Sequence, residues 1–264
     1  LPVSGEARGA VRAVGSFVAI GDSFTEGYGD YYPDGGCQGW ADRFARLLAP
    51  SAPGLTYANL AVRGKLLGQV ISEQLPVAVA LKPDLISLAA GGNDLLRPSG
   101  DPDTLAASLE QAVVRLRAAS DQVLLFSGFN PAGLPVMRLI RSKIIAYNAR
   151  IKAIAAQHDC LHADLWSMTV LADPREWSAD RLHLAADGHR RVALYVAETI
   201  GLAVGEDWRT PLPPDPAGKP SWLRARGQDL HWARAYAAPW IKRRLRRTSS
   251  GDDVPAKRPY LLPL

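Results

Sequence analysis

Sulfur is scarce in this chain: 264 residues carry two cysteines, Cys37 and Cys160, and two methionines. At most one disulfide can form, which excludes a small scaffold stapled by cysteines. No uncharged apolar run approaches the roughly 20 residues that a membrane-spanning helix needs. The N-terminal stretch, with acidic Glu6 and no long apolar region, does not read as a secretory signal. The chain opens at Leu1 rather than at methionine, which leaves removal of a leader, and export, open; a cytoplasmic protein with two free thiols is the expectation. An excess of charge of either sign is missing from the main body as well. From Ala203 onward there are 12 Lys and Arg against 6 Asp and Glu, and before it 19 against 20, so the net charge of +5 belongs to the tail. A near-neutral body gives no electrostatic footprint for nucleic acid. Also missing are a Gly-x-Ser-x-Gly elbow and a phosphate-binding P-loop, and Gly27-x-Gly29 lacks the third glycine of a dinucleotide fingerprint. No cofactor is expected.

What is present is an alternation of short apolar runs with helical stripes. Ser16–Ile20, Leu55–Leu60, Leu85–Ala89, Val123–Phe126 and Cys160–Leu165 read as five strands. Between them lie helical segments over about Trp40–Ala49, over Leu66–Leu81 with a break near Pro76, along the stripe Leu105, Leu109, Val113 and Leu116, and along Ile140, Ile144, Ile151 and Ile154. A last helix runs over Ala185–Ile200. Strands alternating with helices at this spacing form βαβ units, so the fold class is α/β with a parallel sheet covered on both faces. In such sheets ligands bind beyond the carboxyl ends of the strands. Those ends carry Ser23, Gly64, Asn93 and a segment with Asp180 and His183.

Ser23 stands where the first strand hands over to a glycine-rich turn, Gly21–Gly27, a place where Asp22 and Ser23 could equally be ordinary turn caps. A serine hydroxyl is a weak nucleophile near neutral pH and needs a base and an acceptor site for the charge on the attacked carbonyl. Asp180, three residues before His183, can accept from the imidazole Nδ1–H and leave Nε2 for Ser23. The amides of Ser23 and Gly64 and the side chain of Asn93 can serve as an oxyanion hole. His189 competes as base, but it falls within the last helix and reads as a packing or surface residue. Asp22 reads as a loop organiser. His158, Asp159, Cys160 and His162 can be drawn as a zinc cluster, yet they straddle a helix end and a strand whose alternation parts neighbours, so no metal is expected.

Four blocks in order, Gly21–Gly27 (GDSFTEG), Asn59–Gly64 (NLAVRG), Gly91–Asp94 (GGND) and Asp180–His183 (DRLH), resemble the SGNH (GDSL-type) hydrolase family over roughly Val14–Leu202. Phe24 departs from the leucine of the family motif. The resemblance implies a three-layer α/β/α sandwich with a flavodoxin-like, five-stranded parallel sheet in the order 2-1-3-4-5. It also implies hydrolysis of acyl esters, lysophospholipids or short-chain esters among them, through an acyl-enzyme on Ser23. A carbohydrate O-deacetylase is the alternative within the same fold; an inactive membrane- or polymer-binding module is the alternative from another class. Substrate-wall candidates are the loops Tyr28–Gly36, Phe129–Met137 and Ser167–Ala179.

Residues 1–205 thus form the expected catalytic domain. After it, Pro211, Pro213, Pro214 and Pro216 mark an extended linker, and Trp222, Trp232, Trp240 and the basic cluster Lys242–Arg247 suggest a helix that docks its tryptophans and leaves its arginines in water. Thr248–Asp253 reads as flexible. A basic amphipathic attachment to an anionic membrane surface or to nucleic acid is the competing reading of residues 206–264, of which the membrane surface is the expected one. A monomer is expected.

Overall fold

The computed structural model describes residues 14–130, 139–215, 222–239, 242 and 249–264. Its central sheet has six strands in the order β5-β4-β3-β1-β2-β6. They are β1 (Ser16–Gly21), β2 (Thr56–Asn59), β3 (Leu85–Ala89), β4 (Gln122–Ser127), β5 (Leu161–Asp164) and β6 (Arg258–Pro263). The first five are parallel and keep the expected 2-1-3-4-5 order; β6 adds antiparallel to β2 at the edge. The expected count of five is therefore corrected to six. Both prolines of β6, Pro259 and Pro263, lack an N–H donor, which suits an edge strand and hides it from a reading by strand pattern.

Alternation along the strands builds two cores. Phe17 and Ala19 of β1 face one side, where they meet Trp40, Phe44, Val192 and Val196 from the helices Gly39–Leu48 and Ala186–Thr199. Val18 and Ile20 face the other, against Leu109, Val113, Ile151 and Ile154 from the helices Pro102–Arg117 and Arg141–Gln157. The result is a three-layer sandwich.

The segment expected as one interrupted helix over Leu66–Leu81 is three pieces: a turn at Leu67–Gln69, a π-helical turn at Val70–Gln74 and a helix at Leu75–Leu81. Pro76 sits in the first turn of the last piece, where its missing N–H costs nothing, and the wide turn precedes it. That wide turn carries Gln74, whose side chain accepts from the Gly21 amide at 2.8 Å and donates to the Gly21 carbonyl at 2.9 Å. The end of β1 is thereby fixed just before the serine.

Of Thr248–Asp253, expected to be flexible, residue 248 lies outside the described residues and Ser249–Asp253 is a turn held by the Ser249 amide donating to Asp252 and the Gly251 amide to Ser249 Oγ. It is ordered because it packs on the turn after β2, as described below. Of the tail's tryptophans, Trp232 lies in a helix, Trp222–Trp232; the side chain of Trp222, Trp240 and the basic run 243–247 lie outside the described residues, as do 131–138 of the expected substrate wall. Among the described residues no helix is long and apolar enough to cross a membrane.

Candidate active site

Ser23 opens a one-turn helix, Ser23–Glu26, capped by the Asp22 side chain accepting from the Phe24 amide at 3.2 Å. The second half of the site arrives from a hairpin-like loop in which Trp177 bridges Leu184 and the Ser178 amide donates to the His183 carbonyl. Within that loop one oxygen of Asp180 accepts three bonds, from Ser178 Oγ at 2.6 Å, the Leu182 amide at 2.9 Å and the His183 amide at 3.0 Å. Its other oxygen takes His183 Nδ1 at 2.6 Å, and His183 Nε2 lies 2.9 Å from Ser23 Oγ. Burial opposes the charge on Asp180, but His183, Ser178 and the backbone donors outweigh it and hold the carboxyl well below the ordinary carboxylate range. Asp180 is thus an anion fixed on one imidazole nitrogen, and the hydroxyl of Ser23 can donate to the other.

The structure brings Ser23, His183, Asp180 and Asn93 to one place. Asn93 Nδ2 donates to Asp22 Oδ2 at 3.2 Å and to the Lys65 carbonyl at 3.1 Å. Asp22 organises this corner from a buried position, and burial, only partly offset by the Phe24 amide and His183, pushes its carboxyl up to about 6. Gly64 does not line the cavity beside Ser23; it is tied to the serine helix indirectly. The amide of its neighbour Arg63 donates to Glu26 Oε2 at 2.6 Å, and the Arg63 guanidinium pairs with the same buried carboxylate while lying 4.7 Å over the Tyr28 ring. Tyr28 in turn meets the His183 ring edge to face at 4.7 Å. Gly64 has φ +75, so a side chain there would be strained, and its Cβ would lie 2.0 Å from Ser249 Oγ, which would have to move.

A cavity of about 190 Å³ opens at Ser23, Asn93 and His183. Its far wall is apolar, with Leu95, Leu96, Phe126, Ile140, Ile144 and Ile151. Three walls come from loops singled out in the sequence, through Tyr28, Phe129 and Trp177. Ile144 and Ile151 were legible only as the apolar face of a helix; periodicity does not distinguish a side chain facing a core from one facing a cavity.

His189 is buried, not at the surface. Its Nδ1 accepts from the Trp40 amide at 3.2 Å, so Nε2 carries the proton and meets the Tyr28 carbonyl at 3.3 Å. Burial pushes its pKa down to about 4 and keeps the ring neutral. The two histidines of the candidate zinc cluster part ways: His158 Nε2 pairs with Glu110 and His162 Nε2 with Ser127 Oγ. Among the described residues no three His, Cys, Asp or Glu side chains converge to hold a metal ion.

Comparison with known proteins adds a family to this geometry. A model described as GDSL-like lipase/acylhydrolase matches residues 19–191. Among solved structures, an acetylxylan esterase from Geobacillus stearothermophilus is similar at 21% identity with a TM-score of 0.60, over 76% of this chain and 98% of that one. An alpha/beta hydrolase enzyme from the metagenome of Lake Arreo, Spain, is similar at 21% identity with a TM-score of 0.61, over 73% of this chain and 98% of that one. At this identity the likeness is one of fold. No curated protein matches the chain.

Proposed function

The chain belongs to the GDSL-like lipase/acylhydrolase family and is a carboxylic ester hydrolase, and from this premise we propose that it works through an acyl-enzyme formed on Ser23. In this reading His183 Nε2 takes the Ser23 proton as Oγ bonds to the acyl carbon, and Asp180 stabilises the imidazolium and fixes its orientation. The carbonyl oxygen becomes an oxyanion held by the amide of Ser23 and by Asn93, while Gly64 stays outside the cavity. His183 then returns the proton to the departing alcohol. Water, deprotonated by the same imidazole, attacks the acyl carbon; the bond from that carbon to Ser23 Oγ then breaks, His183 returns the proton to Oγ, and the acid leaves. Each oxyanion donor contributes about 3 kcal/mol of transition-state stabilisation. The single observation that carries the proposal is the unbroken chain from Asp180 Oδ2 through both nitrogens of His183 to Ser23 Oγ.

The apolar cavity at Ser23 supports an acyl group longer than acetyl, as in a short-chain ester or a lysophospholipid. Burying one methylene contributes about 0.8 kcal/mol, near a fourfold gain. A second reading, carbohydrate O-deacetylase, is supported by the fold likeness to an acetylxylan esterase. A chain-length series of p-nitrophenyl esters, run beside acetylated xylo-oligosaccharides and lysophospholipids, separates them. The acyl reading expects kcat/KM to climb from acetate through hexanoate. A maximum at acetate with faster turnover of acetylated sugar would instead support the deacetylase. A cytoplasmic location belongs to the same proposal, in keeping with two free thiols, Cys37 and Cys160.

A further inference from the structure

The loop that carries Asp180 and His183 contains a strained residue. Arg181 adopts a left-handed backbone at φ +56, a conformation that costs a residue with a side chain about 1–2 kcal/mol. Around this kink Ser178 Oγ and the amides of Leu182 and His183 donate to one oxygen of Asp180, and the other oxygen takes the imidazole. Relaxation of Arg181 would move both ends of the relay.

Two residues from beyond the family match, which ends at residue 191, contact the kink. Trp232 Nε1–H donates to the Asp180 carbonyl at 2.8 Å. Asp229 Oδ1 accepts from Arg181 Nη1 at 2.7 Å, and the Arg181 guanidinium lies 5.5 Å from the Trp232 ring centroid. Asp229 and Trp232 are three apart in the helix Trp222–Trp232 and therefore share a face. The same extension also backs the turn after β2: Gly251 packs so closely on the Arg63 carbonyl that a Cβ there would lie 1.9 Å from it, next to the Ser249 contact with Gly64.

We propose that Trp232 and Asp229 are positioning residues for the ester hydrolysis, holding Arg181 in its left-handed turn so that Asp180 and His183 stay aligned on Ser23. The inference rests on the acyl-enzyme reading of those three residues. A mainly structural role fits the contacts less well. The side chains of Arg181 and Asp229 are 35% and 48% exposed, and an ion pair so open to water contributes about 0–1 kcal/mol to stability. A misplacement of about 1 Å at the base, by contrast, can cost about 100-fold in rate.

The test compares wild type with Trp232→Phe, which keeps the ring and removes the donor, with Asp229→Ala and with the double variant, on p-nitrophenyl butyrate. The double variant is expected to lose about 10- to 100-fold in kcat with KM within about twofold and Tm within a few degrees. Asp229→Glu, which restores the carboxylate, is expected to recover most of the loss from Asp229→Ala. Wild-type kcat in the double variant would overturn the inference, as would a loss that follows Tm across the variants and is not recovered by glutamate. Wild type that neither turns over p-nitrophenyl butyrate nor reacts with a fluorophosphonate at Ser23 would overturn the acyl-enzyme reading, and this inference with it.

Discussion

Asp22 and Asp180 lie on either side of the candidate nucleophile and its base, and their surroundings drive them in opposite directions. Asp180 has four donors and a fixed charge, whereas Asp22 is buried with two donors and titrates near 6. Between about pH 4 and 6 the folded chain holds a proton on Asp22 that the unfolded chain has released, so this residue lowers stability as pH rises through that window. The ionised form costs about 3 kcal/mol above it. Asp22→Asn removes that charge and loses one hydrogen bond worth about 1 kcal/mol. It is therefore expected to raise the unfolding free energy by about 2 kcal/mol at pH 7.5, with the gain shrinking to nothing or reversing below pH 4, in urea titrations at both pH values. It should also retain far more esterase activity than Ser23→Ala. Equal stability of variant and wild type at pH 7.5, or equal and complete loss of activity in the two variants, would contradict this division of labour.

At the scale of elements, the five parallel strands could be read from sequence because short apolar runs are a local signal, and the four blocks because they resemble a family's motifs in order. Three features could not. Strand β6 carries two prolines and half-exposed side chains, and its place is set by pairing with β2, about 200 residues away. The π-helical turn that aims Gln74 at Gly21 depends on where β1 ends in space. Ile144 looks like any core position of the Arg141–Gln157 helix until the cavity beside it is seen. That helix face also supplies a prediction about specificity. Ile144→Phe adds volume to the cavity wall, so the preferred ester in a p-nitrophenyl series is expected to shorten, with about a 10-fold loss on hexanoate and little change on acetate. An unchanged chain-length profile would mean that the acyl chain lies elsewhere.

For the whole molecule, the site exists only as an assembly. Ser23 follows β1, Asn93 follows β3, and His183 returns from a loop 160 residues after the serine, with the turn of Gly64 after β2 bracing the serine helix from outside the cavity. The chain beyond the family match then closes the edge of the sheet with β6 and touches the loops of Asp180 and of Gly64. Such an arrangement serves covalent catalysis if the acyl group passes through Ser23. The most direct measurement is therefore to quench turnover of p-nitrophenyl hexanoate in acid during the steady state and map the adduct by peptide mass spectrometry. The account predicts a hexanoyl group on the peptide containing Ser23 in wild type and none in Ser23→Ala. A hexanoyl adduct on another residue, or brisk turnover by Ser23→Ala, would contradict it.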